Sequence, residues 1–113
     1  MSRTITLIRP CLGLVTRIEC EIKPLGQEQG LWTLLCAAGL NGQQPTAIKA
    51  QGPFHGPKAA EGVMTAIAEN LVEQGYIQVD ETQIWRLHMQ SELRKMNGER
   101  AHQQVRFQVG PDA

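Results

Sequence analysis

Between Pro57 and Gly75 the apolar residues Ala60, Val63, Met64, Ile67, Leu71 and Val72 recur at steps of three and four. That spacing puts side chains on one face of an α-helix. Glu61, Glu69 and Glu73 lie mostly outside the stripe. Pro57 suits the first helical position, where its missing N–H is no loss. Gly75 can take the left-handed conformation that stops a helix, and Tyr76 can fold back on the last turn. The pattern predicts a helix over 57–74, about five turns at 3.6 residues each. A helix with one apolar stripe has to lay it on something. The residues before it read as a sheet, so the fold class expected is α+β, a two-layer sandwich with the helix covering one face.

The strands follow from period-two patterning. Residues 4–8 form a short candidate strand. In 14–22, Ile18, Cys20 and Ile22 alternate with Arg17, Glu19, Glu21 and Lys23, which predicts a strand with one buried and one wet face. Pro24 ends it, and 25–30 is a glycine-containing polar loop. The apolar run 31–38 predicts the antiparallel partner of that strand. Asn41-Gly42 is a tight-turn signal, and 46–51 is a third strand of the meander. The passage 52–58 (GPFHGPK) reads as a rigid connection from sheet to helix, with Phe54 plugging the end of the core. An antiparallel sheet of four to five strands results.

After Asp80 two readings compete. As a strand, Trp85, Leu87, Met89 and Leu93 share a face. As a helix, Trp85, Met89, Leu93 and Met96 form a stripe. Asp80 with Gln83 resembles a capping box, residues 90–96 have helix-forming composition, and Asn97-Gly98 supplies a stop. Asn97-Gly98 also suits a hairpin to a strand at 105–109, but a two-residue loop there would oppose Trp85, Leu87 and Met89 to Gly110, Gln108 and Arg106 rather than to apolar partners. A second helix near 81–96 is therefore expected, then a C-terminal strand.

The chain has 113 residues, 11 Lys+Arg against 11 Asp+Glu, and 4% aromatic residues. This fits a single domain over 1–113. It excludes a globally basic nucleic-acid binder and a disordered chain. The longest apolar run, 31–40, is far short of the ~20 residues a spanning helix needs, so no membrane association is expected. Residues 1–8 begin as a secretory leader does, but Arg9 and Pro10 interrupt the apolar run. Three cysteines, 11, 20 and 36, form neither an even set nor a C-x-x-C. Reduced thiols and a cytoplasmic location are expected.

Motifs for chemistry are few. His55, His88 and His102 have no metal-ligand spacing, and the His88–Glu92 pair suits a solvated helix face. No metal and no cofactor is expected. Cys20 and Cys36 fall on core faces, and Cys11, beside Arg9 in a turn, is the thiol best placed to react. The 52–58 passage lacks both glycine-rich phosphate motifs, and its prolines remove amide donors. The sequence predicts no enzyme.

Charge is the informative feature. Residues 51–83 carry Lys58 against Glu61, Glu69, Glu73, Asp80 and Glu81, whereas 84–106 carry Arg86, Arg94, Lys95, Arg100 and Arg106 against Glu92 and Glu99. Neutrality is thus a cancellation between an acidic helix and a basic segment. Strands, then Gly-Pro-Phe, then an Ala-rich helix ending in Gly75-Tyr76 resembles the sporulation-related repeat and the WGR domain over about 46–76. The WGR signature is absent, with Cys36-Ala-Ala-Gly39 in its place, and the resemblance implies no particular activity. The function expected is a small cytosolic binding module that self-associates as a homodimer or takes a protein partner, with Trp32, Trp85 and Met89 as the interaction surface. The alternative is a domain for single-stranded DNA or RNA, using Arg86, Arg94, Lys95, Arg100 and Arg106 interleaved with Trp85, His88, His102 and Phe107.

Overall fold

The structure, a computed structural model, describes residues 3–26 and 30–109, with 100–109 described by backbone alone. Residues 27–29 of the expected loop lie outside the described residues, as do the side chains of Arg100, His102, Arg106 and Phe107. The elements are β1 (Thr4–Cys11), β2 (Leu14–Pro24), β3 (Leu31–Leu40), β4 (Ala47–His55), α1 (Pro57–Glu73), β5 (Ile77–Val79) and α2 (Arg86–Val109). The strands form one antiparallel sheet in the order β4-β3-β2-β1-β5. The α+β class and the β2–β3 pairing agree with the sequence reading.

Alternation along β2 and β3 builds two cores, one on each face. Cys20, Ile22 and Leu34 pack with Ala60 and Met64 of α1, joined by Ile18, Trp32, Phe54, Val63 and Ile67. The intervening residues Leu35 and Ala37 point the other way and pack with Trp85 and Met89, joined by Ile48, Leu93 and Met96. The molecule is therefore helix on sheet on helix, and the two-layer expectation is corrected. Met89, Leu93 and Met96 of the expected stripe lie on α2 and Trp85 immediately before it, and together they cover the second face. Burying one such large apolar side chain contributes roughly 1.5–3 kcal/mol.

Helix α1 begins and ends as the sequence dictates. Pro57 occupies the first turn. Gly75 has φ 97. The amide of Tyr76 donates to the Leu71 carbonyl and that of Gly75 to the Val72 carbonyl, both at 3.0 Å. These are the two bonds of a Schellman ending, which needs a left-handed residue at this position.

Four expectations change. β4 runs on through Phe54 and His55 by way of a register shift opposite Trp32 and Leu34, so the first part of the 52–58 passage is strand rather than connection. The three-residue β5 was not foreseen. The second helix starts at Arg86 rather than near 81, because Gln83 is occupied in donating to the carbonyls of Ile5 and Cys20 rather than closing a capping box. It continues to Val109, so the C-terminal strand does not form. Asn97-Gly98 does not stop it: Gly98 stays within the helix, at a cost of about 1 kcal/mol for glycine in a helix interior, and Met96 just before it is anchored in the second core.

The β1–β2 turn is a test of local physics. Cys11 pairs with Leu14, leaving Leu12 and Gly13 as the turn, at φ 52 and φ 82. Leu12 is 98% exposed, so it gains nothing from burial while paying about 1–2 kcal/mol for a left-handed backbone. Asparagine tolerates this conformation in two-residue hairpins. Leu12→Asn is expected to raise unfolding stability by about 0.5–1 kcal/mol in urea titration. An unchanged or lower midpoint would contradict this turn.

Candidate interaction surface

Three of the four alternating charges of β2, Arg17, Glu19 and Glu21, do not face water. Arg17 is 2% exposed and Glu19 is 0% exposed, and Glu21 is buried as well. The expectation of a wet face is corrected, because the chain from Glu81 through α2 lies over it. Glu19 receives three donors. Arg17 Nε donates to Oε2 at 2.7 Å, Ile84 N to Oε2 at 2.8 Å, and Trp85 N to Oε1 at 2.9 Å. The last two come from the residues just before α2, where a carboxylate is favoured by the helix dipole. Arg17 also reaches Asn41 Oδ1 at 3.2 Å, Glu81 Oε1 at 2.8 Å and the Thr82 carbonyl at 3.2 Å. Burial alone would weaken the Arg17 charge, but its bonds to Glu81 and Glu19 outweigh that and hold its pKa above the ordinary value. Working pH lies below even the ordinary arginine value, so Arg17 stays charged and its own titration removes no stability there.

This seam decides which predicted residues reach the surface. Trp85 is 1% exposed, with its indole Nε1 donating to the Gln43 carbonyl at 2.8 Å, and Met89 is wholly buried. Both are core residues, and the expectation that they present a surface is corrected. Trp32 is half-buried against the α1 core, with the Arg3 guanidinium 4.6 Å over its ring.

Arg86, Arg94 and Lys95 are all exposed on α2. They do not fold back on the acids of α1, which lies across the sheet. The ion pairs among the described residues are Arg3–Glu61, Arg17–Glu19, Arg17–Glu81 and Lys23–Glu21, and none involves α2. On the α1 side, a groove of about 610 Å³ is floored by Ile5, Met64 and Ala68 and rimmed by Glu61, Glu69 and Glu73. Among the described residues no group of three or more His, Cys, Asp or Glu could hold a metal ion, and no helix is long and apolar enough to cross a membrane.

With both faces covered, the sheet's edges remain. β5 covers β1 only from Thr6 to Ile8. β4 is nine residues long, and Ala47 and residues 49–53 are exposed. The bonds from Leu25 N to the Leu31 carbonyl and from Asn41 N to the Val15 carbonyl show that odd-numbered residues of β3 bond toward β2. Even-numbered ones therefore bond toward β4. Their partners Ala47, Lys49 and Gln51 face inward, leaving the N–H and C=O of Ile48 and Ala50 directed outward. The sequence located this strand; which of its amides face outward depends on register, which composition does not encode.

These features define an α+β domain of one antiparallel sheet with a helix on each face. The chain belongs to the PA4575-like protein family, which it matches over residues 1–113. No match was found among curated proteins or among solved structures.

Glu19 is expected to be the most sensitive position of the second face. Glu19→Ala leaves Arg17 short of a partner and the amides of Ile84 and Trp85 unpaired, a loss of about 3–5 kcal/mol. The measurement is urea unfolding followed by tryptophan emission, with Trp85 expected to shift to the red. A loss under about 1 kcal/mol, the range of an exposed ion pair, would contradict the burial described.

Proposed function

We propose that this chain is a small, non-catalytic interaction module that self-associates by adding the β4 edge of a second copy to its own. The observation that carries the reading is the outward-facing main chain of Ile48 and Ala50 on a long, exposed edge strand. Unpaired edges of this kind template pairing with another strand. The covered faces also support the edge, since the apolar surfaces of the sheet are already used inside the chain. Chemistry selects the register. A two-fold axis at Ala50 places Lys49 opposite Gln51 of the second copy. An axis at Lys49 would oppose two like charges, which is unfavourable. An odd number of cysteines without a C-x-x-C motif fits a reducing compartment such as the cytoplasm.

Ala50→Pro tests the reading cleanly. It removes an outward amide and none of the bonds to β3, and proline is tolerated on an edge strand whose N–H faces solvent. Sedimentation equilibrium at micromolar concentration is expected to give about twice the monomer mass for the natural chain. The variant is expected to be monomeric with an unchanged far-ultraviolet spectrum. A natural chain that is monomeric throughout, or a variant that remains dimeric, would overturn the proposal.

A second reading has its own observation: Arg86, Arg94 and Lys95 are exposed and unpaired among the described residues. They could contact the phosphates of a single strand. This reading expects a labelled oligothymidine to bind at low salt, with binding weakened by Arg94→Ala combined with Lys95→Ala and by added salt. No anisotropy change at low salt would exclude it.

A further inference from the structure

Cys20 and Cys36 are direct register partners across β2 and β3. Both face α1, in the core that contains Ala60 and Met64. The hydrogen-bond parity of this strand pair makes odd-numbered residues of β2 the bonded positions, so Cys20 and Cys36 form a non-hydrogen-bonded pair. In such pairs the Cα atoms lie about 4.5 Å apart and the side chains are closest. That falls within the roughly 4.4–6.8 Å a disulfide spans. The two sulfurs differ in access. Cys20 is fully buried and Cys36 half-buried. The row continues from Cys36 to the exposed Lys49 on β4, so Cys36 is the member nearer the open edge.

We propose that Cys20 and Cys36 are an oxidisable dithiol that takes a hydroperoxide as its oxidant and closes to an intrachain disulfide between β2 and β3. The Cys36 thiolate attacks the terminal peroxide oxygen. The O–O bond breaks, the alcohol or water leaves with the proton Cys36 gave up, and Cys36 becomes a sulfenic acid. The Cys20 sulfur then attacks the Cys36 sulfur. The S–O bond breaks, and hydroxide leaves as water with the proton from Cys20. Two thiols lose two electrons and two protons, and one peroxide is reduced. The order of attack follows from access. In the same direction, the adjacent Cys36 and burial push the Cys20 thiol up, while the adjacent Cys20 holds the Cys36 thiol below its ordinary value. A lowered thiol at the accessible end is the one that reacts first.

The test uses the whole chain with Cys11→Ser, which removes the exposed thiol that could bridge two molecules. One equivalent of hydrogen peroxide is expected to consume both remaining thiols and lower the mass by two hydrogens without covalent dimer. Cleavage after glutamate is expected to release the Cys20 and Cys36 peptides still joined, and dithiothreitol to part them. Because the fold holds the two sulfurs together, closure is expected to be at least about tenfold faster than in urea-unfolded chain. In Cys20→Ala with Cys11→Ser, dimedone is expected to trap the Cys36 sulfenic acid. Accumulation of Cys36 sulfinic acid with Cys20 still alkylatable, or closure no faster folded than unfolded, or both thiols left intact, would each overturn the proposal.

Discussion

The Glu19 carboxylate is the point on which the second half of the molecule depends. It is fully buried and accepts from the Arg17 guanidinium and from the amides of Ile84 and Trp85. An isolated carboxylate in that position would cost several kcal/mol in desolvation. Here the charge is balanced by Arg17, which is itself shared with Glu81, Asn41 and the Thr82 carbonyl. The seam pins the entry to α2 over β2, and the apolar stripe from Trp85 to Met96 then falls on Leu35 and Ala37. A purely apolar contact would have permitted the helix to slide along the sheet; paired amides fix its start.

Covering both faces redirects the question of function. A sheet with one bare face would offer its apolar side chains to a partner. This one uses Trp85 and Met89 internally. What remains outside is main chain along β4, basic side chains on α2 and an acid-rimmed groove beside α1. Of these, the edge strand carries the more specific geometry, because strand addition has a fixed spacing and direction.

Much of the fold was legible in the residues. Alternation at Ile18, Cys20 and Ile22 gave the face of β2 that packs on α1. The stripe from Ala60 to Val72, between Pro57 and Gly75, gave α1 almost to the residue. The stripe at Trp85, Met89, Leu93 and Met96 gave the contact face of α2. What failed was environment. Arg17, Glu19 and Glu21 alternate as a solvated face does, and period alone cannot tell water from a buried partner that arrives some 65 residues later. For the same reason Trp85 and Met89 looked free to bind. Asp80 and Gln83 imitated a local cap, whereas Gln83 donates to the sheet and the amides just before α2 are held by Glu19 of β2. Asn97-Gly98 carries the local signature of a stop, and the helix runs through it with Met96 anchored in the second core. The interaction edge was visible only as a strand, since its outward amides follow from register.

Amide hydrogen exchange at Ile84 and Trp85 tests the account most directly. Both residues lie just before α2, where an amide has no partner within the helix and ordinarily exchanges freely. If Glu19 holds these two, nuclear magnetic resonance should find both protected to the same degree as the β2–β3 core amides. Exchange at the rate of an open helix end would contradict the clamp, and with it the placement of α2 across the second face of the sheet.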